Sequence, residues 1–215
     1  TIEKNNNDNL QKVLSDMISA QGPVHINIPL EEPLYEFSHQ DDLTVQQVKW
    51  SKTPQPKRIG SLESKWNESK RILVVVGTLS PDALDVKSIS VLANDPRVVV
   101  LHEITSNLDH DNFIAHIDRV ILPIEKQKNS QEIFQLLAPD LLITMGGMVV
   151  SKKVKSMLRS FTSVSHFHIG KDRPLDTYYL GVQHIDVDPN SFFNNLSFSD
   201  SKSNYQDQWL ELSHK

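Results

Sequence analysis

The sequence of 215 residues contains no cysteine, which excludes disulfide bonds and metal sites built from thiolates. It has no run of about 18 apolar residues, so we expect no membrane span. A formal net charge of -5 and no basic stripe interleaved with aromatic residues argue against a nucleic-acid-binding surface. The Asn-rich start does not resemble a signal peptide. We therefore expect a cytoplasmic protein, consistent with the missing cysteines.

Several short motifs that carry chemistry are also missing. The sequence has neither the G-x-G-x-x-G fingerprint nor a P-loop, so nothing in it directly indicates nucleotide binding. His166 and His168 alternate and would share one face of a strand, as would His184, Asp186 and Asp188. Neither set comes with a further ligand at a spacing typical of metal sites. We predict no metal site here and expect these histidines to bond nearby polar groups.

The first 35 residues predict one helix and one strand. Apolar residues recur at helical spacing through Ala20 at Leu10, Val13, Leu14, Met17 and Ile18. Val24, Ile26 and Ile28 then alternate with polar residues, which is typical of a strand. Pro29 ends the pairing because proline lacks a backbone donor. One helix and one strand cannot bury a core of their own, so we expect their partners to lie outside this chain.

Residues 36–69 are polar and contain Pro54 and Pro56, which indicates a linker carrying short helices. From residue 70 to 215, apolar runs alternate with amphipathic segments. The predicted strands are 72–76, 98–101, 120–122, 141–145, 164–169 and 184–187. The predicted helices begin near residue 80 and continue at 109–118, 130–137, 151–159 and 204–212. This order indicates an α/β fold with a Rossmann-like, doubly wound, mainly parallel sheet.

The loop after the predicted strand 141–145 is the best candidate for a site. Gly146 and Gly147 permit a tight turn, and Ser151 can cap the following helix. Lys152 and Lys153 then stand in the first turn, where a cation opposes the helix dipole. Such lysines are either part of a solvated surface or are held there for an anion. The residues alone favour the solvated surface.

Two segments resemble the MenD family of menaquinone-pathway synthases, which use thiamine diphosphate. Residues 22–35, GPVHINIPLEEPLY, match the end of that family's N-terminal domain. The loop through Ser151 matches the family's central domain, where a Lys and commonly an Arg bind substrate carboxylates. The resemblance implies a substrate-binding role for Lys152 and for Lys153. A lysine at 153 cannot form the two parallel hydrogen bonds by which an arginine binds a carboxylate.

The resemblance also implies a domain plan and a reaction. Residues 1–35 would end the N-terminal pyrimidine-binding domain, 36–69 would link, and 70–215 would form the central domain. Members of the family decarboxylate 2-oxoglutarate and add the succinyl unit to isochorismate, as homodimers or dimers of dimers. They use thiamine diphosphate with Mg2+ or Mn2+. The chain lacks the family's activating glutamate region and G-D-G motif, so the resemblance implies that it binds no cofactor alone and turns nothing over.

Two alternatives remain at this point. The chain would be the central domain of another thiamine diphosphate enzyme, such as an acetohydroxyacid synthase, in which this domain can bind a flavin nucleotide. It would otherwise be a non-catalytic α/β ligand-binding domain, and the match at residues 22–35 would be a coincidence. A helix and strand without partners at the start of the chain favour the MenD family over a free-standing domain.

Overall fold

The structure is a computed structural model, which describes residues 2–20, 22–29, 59–196 and 202–213. The chain divides into two compact units, residues 1–54 and 55–215, and each is described by itself. No helix in the described ranges combines the length and the apolar character needed to cross a membrane. The end of the motif at 30–35 and the predicted linker up to residue 58 lie outside the described residues.

The first unit contains helix α1, Ile2–Ala20, which confirms the predicted helix and extends it toward the N-terminus. The predicted strand at Val24, Ile26 and Ile28 was wrong, because residues 22–29 form no strand in the structure. These three side chains are exposed. An extended segment becomes a strand only when a neighbouring strand takes up its backbone hydrogen bonds, and alternation alone does not provide that neighbour.

The second unit is built on a six-stranded sheet in which every pairing is parallel. Its strands are β1 Ile72–Val76, β2 Val98–His102, β3 Phe113–Ile114, β4 Leu141–Met145, β5 Ser165–Ile169 and β6 Gln183–Ile185. They lie in the order β3-β2-β1-β4-β5-β6. The chain therefore winds outward from β1 in one direction and from β4 in the other, which confirms the predicted doubly wound α/β sheet.

Helices cover both faces of this sheet. They are α2 Ile59–Glu68, α3 Val86–Asn94, α4 Ile117–Glu125, α5 Ser130–Leu137, α6 Lys152–Ser160, α7 Pro189–Phe193 and α8 Tyr205–Ser213. Leu73 and Val75 of β1 pack with α4, α5, α6 and α8, whereas Ile72 and Val74 pack with α2, α3 and α7. Burial on both faces explains why the central strands are continuous apolar runs.

Helix α2 lies within the segment 36–69 that the sequence predicted to be a linker. Leu62 and Trp66 are completely or almost completely buried in the core on the α3 side of the sheet. The Trp66 ring meets the rings of Phe192 and Phe193 edge-on, at centroid distances of 6.2 and 6.1 Å. The packed α/β unit thus includes residues from α2 onward, while the assignment of 1–35 and 36–69 to a domain end and a linker stays a prediction.

The region between β2 and α5 differs from the prediction. A helix over 109–118 and a strand over 120–122 were predicted, but both were wrong. In the structure the strand comes first, as β3, and the helix follows it, as α4. Buried apolar residues recur three, four and seven positions apart at Ile117, Val120, Ile121 and Ile124, which is the pattern of a helix face. The short apolar run at 120–122 therefore belongs to that face and not to a strand.

Candidate functional site

The candidate site lies where the strand order reverses, at the carboxyl ends of β1 and β4. In open parallel sheets this reversal point is where ligands gather. Here the turns that leave the two strands are hydrogen-bonded to each other. Gly77 N donates to Met145 O at 2.9 Å, and Gly147 N donates to Thr78 O at 2.8 Å. The turn after β2 joins them, since Leu79 N donates to Thr105 O at 3.1 Å. Three turns thus form one connected surface.

Gly77 permits this close approach. A Cβ atom at residue 77 would lie 1.8 Å from the carbonyl oxygen of Gly147, a distance that backbone movement alone can relieve. Gly146 contributes differently, because its φ of +75° favours glycine. The predicted tight turn at Gly146 and Gly147 is therefore confirmed. The contact at Gly77 was not predicted, because it depends on which strand lies beside β1.

We expect Gly77→Ala to lower the free energy of unfolding by about 1–3 kcal/mol, the usual cost of forcing extra volume into a packed site. Gly60→Ala is the matched control, since a Cβ atom there meets nothing within 4 Å. Urea denaturation of both variants measures the difference. If Gly77→Ala matched Gly60→Ala in stability, the two turns would not be pressed together as described.

Helix α6 begins at Lys152, one residue after the start of the predicted helix 151–159. Ser151 is its N-cap, and the Ser151 hydroxyl oxygen accepts from Val154 N at 3.1 Å. The backbone N–H groups of Lys152 and Lys153 have no hydrogen-bond acceptor among the described residues. The first turn of α6 therefore presents two backbone donors and two lysines close to the carboxyl end of β4.

Carboxylates hold the turn in front of α6. Both oxygens of Glu103 accept backbone N–H groups, from Val150 at 2.8 Å and from Ser151 at 2.6 Å. The Ser151 hydroxyl donates to Asp118 of α4. Sequence reasoning missed both acids. A signal for Glu103 was available, because it directly follows β2 and so belongs to the carboxyl edge where the candidate loop lies.

The two candidate lysines differ in the structure. Lys152 is exposed, and the described residues include no salt-bridge partner for it. The ammonium of Lys153 pairs with the carboxylate of Glu125 at the end of α4, and the Glu125 side chain is 25% exposed. Lys153 therefore already neutralises an acid of the chain. We therefore expect an anionic ligand to bind to the ammonium of Lys152 in preference to that of Lys153.

His166 and His168 share one face of β5, as predicted, and meet the hydroxyl of Thr144 on β4. The hydroxyl oxygen lies 3.0 Å from His166 Nε2 and 3.0 Å from His168 Nδ1. All three side chains are buried. Because a hydroxyl carries one proton, it can donate to at most one of the two imidazoles. Its proton can also go to the carbonyl oxygen of Phe167 at 3.5 Å, which leaves the hydroxyl oxygen to accept an N–H from each imidazole.

Burial sets the charge state of these histidines. Desolvation lowers the pKa of His166 and the pKa of His168, each to about 4. Asp176 opposes this shift at His166, and Asp172 opposes it at His168. An imidazole whose folded pKa is depressed stabilises the fold above its unfolded pKa, and the stabilisation is lost as the pH falls toward the folded pKa.

We expect the free energy of unfolding to fall by about 2 kcal/mol between pH 6.5 and pH 5.5, because each unfolded imidazole gains a proton that the folded one refuses. Urea denaturation at the two pH values measures it. His166→Gln combined with His168→Gln should remove most of this dependence, whereas replacement of the exposed His116 should leave it. Equal pH dependence in the double variant and the parent would contradict the assignment.

The other histidine set has a structural contact. His184 on β6 places Nε2 2.7 Å from the carbonyl oxygen of Gly170. Asp188 caps α7 by accepting from Ser191 N at 2.9 Å. Across the described ranges no group of three or more His, Asp or Glu side chains is arranged to hold a metal ion. The histidines thus bond nearby polar groups, as the sequence led us to expect.

The three relatives described next share one name. No protein-family model matches this chain. The 2-succinyl-5-enolpyruvyl-6-hydroxy-3-cyclohexene-1-carboxylate synthase of Christiangramia forsetii is 38% identical over 180 residues, covering 82% of this chain and 31% of the relative. The synthases of Flavobacterium psychrophilum and Desulfotalea psychrophila, which have the same name, are 34% and 32% identical over 214 and 194 residues. These matches cover 98% and 87% of this chain, and 38% and 35% of the relatives.

The similarity extends over both segments that carried the resemblance, because the match to the Flavobacterium psychrophilum enzyme covers nearly the whole chain. The shared name is not that of an acetohydroxyacid synthase. The chain spans about a third of the length of the curated relatives it matches. It belongs to the 2-succinyl-5-enolpyruvyl-6-hydroxy-3-cyclohexene-1-carboxylate synthase family, which is the MenD family that residues 22–35 and the loop through Ser151 resemble.

Proposed function

We propose that this chain forms part of a synthase that decarboxylates 2-oxoglutarate and adds the succinyl carbanion equivalent to isochorismate in menaquinone biosynthesis. Its part in the reaction is to supply a scaffold and lysines that bind a substrate carboxylate. The observation that carries the proposal is the exposed Lys152 at the reversal point of a sheet that belongs to this family. The substrates are polyanions, so a cation at that edge suits them.

The local charges support Lys152 over Lys153 as the principal contact. Glu103, Asp118 and Glu125 place three carboxylates around the start of α6, and each already has a donor in the chain. Lys153 is paired with one of them. Lys152 has no such pairing among the described residues, and two backbone donors lie beside it. A carboxylate bound there would interact both with the ammonium of Lys152 and with the backbone N–H groups at the start of α6.

The described residues offer no evident site for the metal ion that accompanies the family's cofactor. Thiamine diphosphate needs Mg2+ or Mn2+ to hold its diphosphate, and the described side chains include no cluster suited to such an ion. The sequence also lacks a G-D-G motif. We therefore assign thiamine diphosphate and its metal ion to parts of the synthase that this chain does not cover. The task left to these residues is to bind and orient a substrate.

An assay of a full-length synthase carrying this sequence tests the proposal. The enzyme is given 2-oxoglutarate, isochorismate, thiamine diphosphate and Mg2+, and the succinyl-cyclohexene product is measured by mass spectrometry. We expect product formation that requires both acids. Decarboxylation with pyruvate as the only accepted oxo acid would contradict the proposal and favour an acetohydroxyacid synthase. Absence of any carboligation would favour a ligand-binding role.

A further inference from the structure

Glu103 links the ends of three strands. It directly follows β2, and its backbone N–H donates to the hydroxyl of Ser106 at 3.1 Å. Ser106 is completely buried, and its hydroxyl donates to Val76 O at the end of β1, at 2.9 Å. The Glu103 carboxylate then reaches the turn after β4, where it accepts from Val150 and Ser151. The backbone of Glu103 is therefore fixed to the sheet, while its carboxylate holds the turn after β4.

Helix capping does not explain these two bonds. The N-cap of α6 is Ser151, whose own hydroxyl satisfies Val154 N. The groups that Glu103 accepts belong to Val150 and Ser151, ahead of the first helical residue. Hydrogen bonds from backbone N–H groups to a carboxylate are about twice as strong as neutral ones. Glu103 thus fixes the position of the backbone immediately before Lys152.

The choice of a carboxylate at this point is informative. A negative charge next to a site for an anion weakens anion binding through space. A carboxylate nevertheless offers one acceptor oxygen to each of the two N–H groups, whereas a glutamine amide offers one oxygen and one NH2 group. The carboxylate therefore accepts both N–H groups of the turn, although its negative charge weakens the binding of an anion nearby.

We propose that Glu103 is a positioning residue for Lys152. Its carboxylate holds the turn at Val150 and Ser151, so that the ammonium of Lys152 is presented to the substrate carboxylate in one place. This inference rests on the proposed function, because it concerns the same site. It adds a residue that makes no contact with the substrate and acts only through the lysine.

Two variants that both remove the charge of Glu103 separate the effect of that charge from the effect of holding the turn in position. Glu103→Gln keeps one acceptor oxygen for the turn, and Glu103→Ala keeps none. In a full-length synthase carrying this sequence, the Michaelis constant is measured for the acid that responds to Lys152→Ala. We expect Glu103→Ala to raise that constant on the order of tenfold above Glu103→Gln, with kcat little changed, because a misplaced binding group loses its contact.

A double variant gives the decisive comparison. If Glu103 acts only through Lys152, Glu103→Ala has no further effect on the Michaelis constant once Lys152 is alanine. Equal and additive effects in both backgrounds would overturn the proposal, as would tighter binding in Glu103→Ala than in Glu103→Gln. Glu132→Ala, an exposed glutamate on α5, is the control and should leave the constant unchanged.

Amide hydrogen exchange distinguishes failure of this inference from failure of the proposed function. In the 215-residue chain, the amides of Val150 and Ser151 should exchange about tenfold to a hundredfold faster in Glu103→Ala, with the β4 amides unchanged. Faster exchange with no effect of Lys152→Ala on either substrate would remove the proposed binding role while leaving the Glu103 contact intact. Unchanged exchange would overturn the positioning role itself.

Discussion

Replacing Arg97 with methionine is expected to lower the free energy of unfolding by about 3–5 kcal/mol, the range for breaking a buried ion pair from one side. Arg97 is almost completely buried at the start of β2. Its guanidinium pairs with Asp95 at 2.7 Å and donates to the carbonyl oxygens of Trp66 and Ser69, both at 3.0 Å. Methionine fills a similar volume but leaves two carbonyls without donors, and it leaves the buried carboxylate with only the backbone N–H of residue 97.

The measurement is urea denaturation of the 215-residue chain, with Arg71→Met as the matched control. Arg71 also pairs with an aspartate, Asp140, but both side chains are 39% exposed, so its loss should cost no more than about 1 kcal/mol. Adding Asp95→Asn to Arg97→Met should recover part of the lost stability by removing the stranded charge. Equal losses from the two arginine variants would show that burial does not set the importance of this pair.

Replacing Lys152 with alanine is expected to raise the Michaelis constant for one of the two substrate acids about tenfold to a hundredfold, with a smaller change in kcat. Under the proposed function, the variant removes a charge-assisted contact worth about 1.5–3 kcal/mol. The effect falls on the Michaelis constant because the carboxylate is bound alike before and during the reaction. The assay is steady-state kinetics on a full-length synthase carrying this sequence, with each acid varied in turn.

Lys155 provides the matched control, since it is a lysine of the same helix that the resemblance assigns no role. Lys155→Ala should leave both Michaelis constants near their parent values. Lys153→Ala should act differently again, because it breaks the pair with Glu125 and so lowers stability as well as any affinity. If Lys152→Ala and Lys155→Ala had the same small effect, Lys152 would be one more residue of a solvated helix surface.

The sheet was predictable from the sequence because its central strands are covered on both faces. Each is a continuous apolar run that a solvated strand could not tolerate, and β1 and β4 were predicted with their observed bounds. The Ser151 cap was predictable for a related reason, since capping is a local interaction over three residues. Features fixed by neighbouring residues or by complete burial are therefore the ones that sequence alone reveals.

The errors arose where a short segment depends on distant partners. The apolar run at 120–122 fits a strand or one face of a helix, and only its extension from Ile117 to Ile124 separates the two. The segment at Val24–Ile28 alternates as a strand does, but a strand needs a partner that the pattern cannot identify. Local periodicity predicts an exposed or buried face more reliably than it predicts pairing.

The candidate site was predictable in its location but not in its charges. The sequence identified Gly146, Gly147, Ser151 and the two lysines because they follow a buried strand in the chain. It did not identify Glu103, which lies 47 residues from Val150, nor Asp118 and Glu125. These contacts follow from the sheet order, which places β1 and β4 side by side and brings α4 next to α6. The structure adds the ion pair between Lys153 and Glu125, which separates the two lysines by their partners.

The central claim is that Lys152 contacts a substrate carboxylate at the reversal point of the sheet. A crystal structure of a full-length synthase carrying this sequence, with 2-oxoglutarate and isochorismate bound, tests it most directly. We predict a carboxylate oxygen of one substrate within about 2.7–3.2 Å of Lys152 Nζ, the range of a charge-assisted hydrogen bond. Both substrates bound through other residues, with the Lys152 ammonium in solvent, would contradict the claim.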